Sequence, residues 1–186
     1  MKLFAELAAY QPQSEQEGAD QKLILSLCNH FSDTILTRGC KAAHLTASGM
    51  LLNPTRDHVL MVYHNIYQSW SWTGGHADGD SDLLGVAMRE AQEETGILQL
   101  RPLTRKIASL DILTVQAHYK HGCYVSPHLH LSVSYLLEAP MEQALSIKPD
   151  ENSKVGWLPV CDLKRYCTEM QMLPLYQKLI ERARTL

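Results

Sequence analysis

Three glutamates, Glu90, Glu93 and Glu94, stand at i, i+3 and i+4 in the stretch "AMREAQEETGI". On a helix that spacing puts all three carboxylates on one face, with Cβ atoms about 5–6 Å apart. Ionised together they repel. Two readings of such a face stand side by side. Solvent relieves the repulsion if the face is exposed, or a hard divalent cation converts it into coordination. Mg²⁺ is suited to the second, because it pairs a few carboxylates with substrate phosphates. Gly74 and Gly75 lead into the segment and permit close backbone approach by a ligand. Arg89 precedes Glu93 by four residues, a spacing at which a guanidinium can orient that carboxylate.

The elements that must carry these groups can be read from apolar periodicity. Leu84, Met88, Ala91 and Thr95 fall on one stripe, which predicts a helix over 82–95 with the glutamates off the buried side. Gly96 suits the left-handed position that ends it. At the other end, Asp80 or Ser81 is expected to cap the helix and Asp82 to favour its N-terminal dipole. "HLTASGMLLN" and "HVLMVYH" are strand candidates separated by the turn "PTRD". "SWSWTGG" is a short aromatic strand. Further strands are predicted at about 104–119 and 129–138, then a polar loop, the strand "KVGWL" and an amphipathic helix over 171–185. In front lie a short helix over 1–10 and a second one capped by Ser14, with Leu23, Leu27 and Phe31 or Ile24 and Cys28 on its apolar face. The order predicts an α/β (α+β) domain over 41–186 behind a helical extension, 1–40, that packs on that domain or on a second subunit as a homodimer.

The composition narrows the partners. The chain has 186 residues, 45% hydrophobic and 20% charged, with a formal net charge of −3. No basic run marks a nucleic-acid surface, and no apolar run is long enough to span a membrane. The opening residues do not read as a signal peptide. Five cysteines with no CxxC pair fit a reducing cytoplasm better than a disulfide framework or a zinc site.

The segment "GGHADGDSDLLGVAMREAQEETGI" resembles the signature box of the Nudix hydrolases: a Gly, five residues, Glu, seven residues, then Arg-Glu-apolar-x-Glu-Glu-x-Gly-apolar. Gly75 matches the first glycine, and "REAQEETGI" at 89–97 matches the whole second half. The resemblance implies an α/β/α sandwich with a mixed sheet. It also implies Mg²⁺- or Mn²⁺-dependent hydrolysis of a small nucleoside diphosphate derivative by attack of water on phosphorus. Carried over by position, Glu90, Glu93, Glu94 and the Gly75 carbonyl become metal ligands, and Arg89 an orienting residue. Glu93 and Glu94 become catalytic with them. Glu151, in "PDENSKVGW", resembles the further carboxylate that many members bring from a later loop as base or ligand; it reads equally as part of a solvated turn.

One position departs from the box. Ser81 stands where its first glutamate belongs, and Asp78 or Asp80 is the available substitute. Substrate contacts are assigned to His76 in the box loop, to His128 and His130, which share one strand face, and to Tyr63 and Trp72, onto which a planar group can stack. A plain polar sheet edge and core aromatics are the competing readings. Two other functions share the fold. An isopentenyl-diphosphate isomerase would explain His44 and "GGHA" but needs a cysteine that "SWSWTGG" lacks. A ligand sensor would more often have eroded box glutamates.

Overall fold

The computed structural model describes residues 2–120 and 122–186. Two helices, α1 (Lys2–Ala9) and α2 (Glu15–His30), precede four strands: β1 (Ala43–Leu52), β2 (His58–His64), β3 (Ser69–Ser71) and β4 (Thr73–His76). Helix α3 (Leu83–Thr95) follows, then β5 (Arg101–Pro102), β6 (Ser109–Val115), β7 (His118–Lys120), β8 (Cys123–Val125), β9 (His128–Glu138) and β10 (Asn152–Pro159). The short α4 (Leu163–Tyr166) and the longer α5 (Leu173–Arg184) close the chain. Among the described residues no helix is long and apolar enough to cross a membrane.

An eight-stranded mixed sheet runs β10-β2-β1-β9-β5, with β3 on β2, β4 on β1 and β6 on β9; β7 and β8 form a separate hairpin. The β1–β9 pair is parallel and the others are antiparallel. Strands of period two send alternate side chains to opposite faces, and β1 and β9 use this in the same way. Leu45, Ala47 and Leu51 of β1 join Leu131, Val133 and Leu137 of β9 in a core shared with α1, α2 and α3. The opposite face changes character along its length. Met50, Leu52 and Leu136 pack beneath α4 and α5 in a second core. Towards the other end the same face carries the pairs His44–His130, Thr46–Ser132 and Ser48–Ser134. The result is the expected sandwich, with a polar region left open on one side of the central sheet.

Most local signals hold, the segment expected as one strand over about 104–119 being divided between β6 and the β7–β8 hairpin, and two adjustments bear on the site. Ser14 caps α2, accepting from the Glu17 amide at 3.1 Å. Ile24 and Cys28 are the buried stripe of α2, whereas Leu23 is exposed. Gly96 ends α3 at φ 72°. The first adjustment concerns the cap of α3, which is Asp82 and not Asp80 or Ser81: its carboxylate accepts from the Gly85 amide at 3.2 Å. The second concerns "SWSWTGG", which is two strands, β3 bonding to β2 and β4 to β1. The helices of the extension pack on their own chain, with Leu3, Leu7, Ile24 and Cys28 in the first core.

Candidate active site

A cleft of about 1470 Å³ opens over the polar region of the sheet and is lined by β1, β4, α3, β9 and the segment 148–152. Two clusters of chemistry-bearing side chains line it. In the first, carboxylate oxygens of Glu90, Glu94 and Glu151 lie within 4.8 Å of one another. In the second, ring nitrogens of His44, His76, His128 and His130 do the same.

The carboxylate cluster is assembled by three segments. Helix α3 presents Glu90 and Glu94, and its apolar stripe, Leu84, Ala91 and Thr95, is buried as the periodicity demands. The β4 backbone closes over them. The Gly74 amide donates to Glu94 Oε1 at 3.2 Å. A Cβ on Gly75 would overlap the Glu90 carboxyl group, so any larger residue there would displace that carboxylate from its place against the β4 backbone. The third segment is the turn before β10. The Asn152 side-chain amide donates to the Glu94 backbone carbonyl at 3.0 Å, and Asn152 Oδ1 accepts from the Lys148 amide at 3.2 Å. Asn152 thereby pins the turn onto the end of α3 and delivers Glu151 to the pair.

Glu94 is only 6% exposed. Burial, with Glu90 and Glu151 adding like charge, pushes its pKa up to about 8 despite the Gly74 amide. Burial also raises Glu90, offset in part by Lys148. A cation would favour the anionic form of carboxylates crowded and desolvated in this way. An all-oxygen donor set beside a glycine backbone fits a hard divalent ion such as Mg²⁺. The protein's own cation here is Lys148, whose Nζ lies 3.2 Å from Glu151 and 3.3 Å from Glu93. Glu93 is therefore at the rim of the cleft, on Lys148, and outside the tight group of three.

The remaining expected positions divide. His76, His128, His130 and Trp72 line the cleft. Trp72 is largely buried, edge-on to Tyr176 with centroids 5.5 Å apart, and offers the cleft little of its ring. Tyr63 does not reach the cleft. It packs edge-on against Trp70 at 5.9 Å, with Lys154 Nζ 5.1 Å from its ring centre, because its neighbours Val62 and His64 take the cleft-facing side of β2. Arg89 turns to Asp80 at 3.4 Å and not to Glu93. Of the two aspartates near the position of the missing glutamate, Asp78 lines the cleft and Asp80 does not, and both are engaged by other groups. Asp80 also accepts from the Asp82 amide at 2.9 Å, and Asp78 is held by both Nε (3.0 Å) and Nη2 (2.9 Å) of Arg38. Ser81 lies on the other side of α3, in a depression shared with Leu3, Glu6 and Tyr135. Ser81→Glu is therefore expected to leave metal preference and turnover within about twofold of wild type, as for surface substitutions that touch no special feature. A metal-activation profile of the variant measures it, and a changed Mg²⁺/Mn²⁺ preference would contradict this placement.

Lys148, Asn152 and Arg38 carried no signal in the sequence. Each acts through a partner at least 40 residues away.

Comparison with known proteins identifies the family and the fold. A family model described as the NUDIX domain matches residues 43–179. No curated relative matches the chain. Among solved structures, a C. elegans Ap4A hydrolase binary complex superposes with a TM-score of 0.53 at 17% identity, covering 76% of this chain and 98% of that one. The E. coli dihydroneopterin triphosphate pyrophosphohydrolase gives 0.55 at 15% identity over 74% and 95%. The NUDIX domain of Shewanella oneidensis NrtR, complexed with ADP ribose, gives 0.51 at 21% identity over 84% and 97%. At these identities the likeness is one of fold.

Proposed function

The chain belongs to the Nudix family of pyrophosphohydrolases, and from that premise we propose that it hydrolyses the diphosphate linkage of a small nucleoside diphosphate derivative in the cytoplasm, with Mg²⁺ or Mn²⁺ as cofactor. The observation that carries the reading is the convergence of Glu90, Glu94 and Glu151 on one point of the cleft. Bound there, the divalent ion would neutralise the diphosphate and lower the pKa of a water. Glu90 and Glu94 would hold it with the Gly75 carbonyl, and Glu93 would join them once Lys148 releases it. Lys148 is then free to meet substrate phosphate. Glu151 comes from the turn before β10 and would accept the proton of the attacking water. His76, His128 and His130 stand on the neighbouring strand face, where the rest of the substrate must lie. Arg89, on Asp80, would steady the loop before α3.

The test is a panel of ADP-ribose-like compounds, dinucleoside polyphosphates, nucleoside triphosphates and isopentenyl diphosphate, read by mass spectrometry in ¹⁸O-labelled water. Turnover of at least one compound is expected, with label in one phosphate product, loss in chelator and recovery on adding Mg²⁺. No turnover across the panel would overturn the reading in favour of a sensor. Rearranged prenyl diphosphate would overturn it in favour of an isomerase.

A further inference from the structure

We propose that the four histidines form a second metal site in the cleft, a nitrogen site for a first-row transition ion, with Zn²⁺ as the ion it holds. The inference does not require the hydrolytic reading, since it uses none of the carboxylates and its test needs no turnover; with both in place, the ion and not the bare imidazoles would face the substrate.

The sheet register builds the cluster. His44 of β1 lies beside His130 of β9 in the parallel pair, and His76 of β4 lies opposite Thr46, one step along the same face of β1. His128 follows two residues from His130 and shares its face. Ring centroids of His44 stand 4.7 Å from His76, 4.8 Å from His128 and 5.1 Å from His130. Three strands thus aim four imidazoles at one point.

Hydrogen bonding fixes which nitrogens face it. His44 Nδ1 lies 3.2 Å from the Cys40 carbonyl, and His128 Nδ1 lies 2.8 Å from the Ser126 carbonyl. A carbonyl can only accept, so both Nδ1 atoms carry the proton and both Nε2 atoms present a lone pair. This is the arrangement that outer carbonyls impose on metal-binding histidines. His44 is only 5% exposed, and its Nε2 has no hydrogen-bond partner. A buried acceptor without a donor is costly, and an ion at the cluster would satisfy it. His128 Nε2 and His130 Nε2 are 3.3 Å apart. Two nitrogens bound to tetrahedral zinc at 2.0–2.1 Å are also separated by about 3.3 Å. Four imidazoles suit Zn²⁺ and its neighbours in the transition series, whereas Mg²⁺ prefers the oxygens of the carboxylate cluster. One cleft would thereby sort two kinds of metal by donor atom.

The test uses the full, tag-free chain, stripped by chelator and titrated with Zn²⁺ against a chromophoric competitor, with Co²⁺ absorption as a reporter of tetrahedral nitrogen ligation. One Zn²⁺ per chain is expected, and Co²⁺ should give the intense bands of a tetrahedral site. His44→Gln and His130→Gln should each weaken Zn²⁺ binding at least about 100-fold and abolish the bands, a ligand being worth no less than an outer partner. Glu90→Gln and the distant His58→Gln should stay within about threefold of wild type, as uncoupled positions do. Circular dichroism of the stripped proteins checks folding. Should His44→Gln unfold, His128→Gln, at the more open edge of the cluster, carries the same expectation. Zn²⁺ binding that survives the histidine variants, that Glu90→Gln abolishes equally, or that is absent from the wild type overturns the proposal.

Discussion

Glu94→Gln is expected to lower metal-dependent hydrolysis at least about 100-fold while leaving the melting temperature unchanged or higher. A ligand lost from the metal costs no less than the 10- to 100-fold typical of an outer partner. The amide keeps the shape of the side chain and would still fill the space beneath Gly74. What the substitution removes is the one charge that the site holds almost wholly away from water. In the metal-free protein burial and the like charges beside it oppose that ionisation, so at neutral pH folding must protonate a carboxyl group that the unfolded chain keeps ionised, a cost the amide avoids. Function and stability should therefore move in opposite directions, the pattern of a residue retained for chemistry at a cost in stability. Glu93→Gln should cost less, about tenfold, because Glu93 sits at the rim on Lys148. Initial rates on the panel compound that turns over, with thermal melts in chelator, measure both. Wild-type rates in the two variants would remove the metal assignment.

The order of these effects was only partly legible in the sequence. The i, i+3, i+4 spacing was enough to place three carboxylates on one side of α3, and the apolar stripe was enough to bury the other side. Spacing cannot say which of the three a neighbouring cation will claim. That depends on Lys148, delivered from 55 residues beyond Glu93 by the bond between Asn152 and the end of α3. The same limit explains Arg89. Its i, i+4 relation to Glu93 is a helix-surface propensity worth a few tenths of a kcal/mol, and the loop aspartate Asp80 offers a competing partner. Alternation in "HLHLSVS" was enough to put His128 and His130 on one strand face, whereas "HLTASGMLLN" was legible only as a strand. That His44 joins them follows from a parallel pairing that sets it beside His130, two residues far apart in the chain, which no local pattern encodes. Tyr63 failed for the simplest reason: aromatic character is legible, but which face of β2 it takes depends on the register with β3 and β10.

A second large effect lies away from the cleft. Glu17→Gln is expected to destabilise the fold by about 3–5 kcal/mol, the cost of removing one member of a buried charge network. Glu17 on α2 is fully buried. Arg182 of α5 grips it through Nη1 at 2.7 Å and Nη2 at 3.0 Å, Lys178 lies 3.0 Å away, and the Gln13 amide and the Ser109 hydroxyl donate at 2.8 and 3.1 Å. Burial alone would raise the Glu17 pKa, but Arg182, the Gln13 amide and Lys178 together outweigh it and bring it down from 4.5 to about 2. A folded-state pKa below the unfolded one makes the contribution full above about pH 4.5 and lost as pH falls towards about 2. The stability gap between wild type and Glu17→Gln should therefore be widest at neutral pH and close across that window. Urea titrations at pH 7 and pH 3 measure it, and a gap independent of pH would show that the charge of Glu17 is not what holds the network. The consequence reaches the cleft through β6, since Ser109 and Asp111 stand on the strand that pairs with β9, and Lys178 binds Asp111 at 2.6 Å. The strand that presents His128 and His130 is thus braced through β6 by a charge that α2 supplies, which makes that helix part of the scaffold of the site.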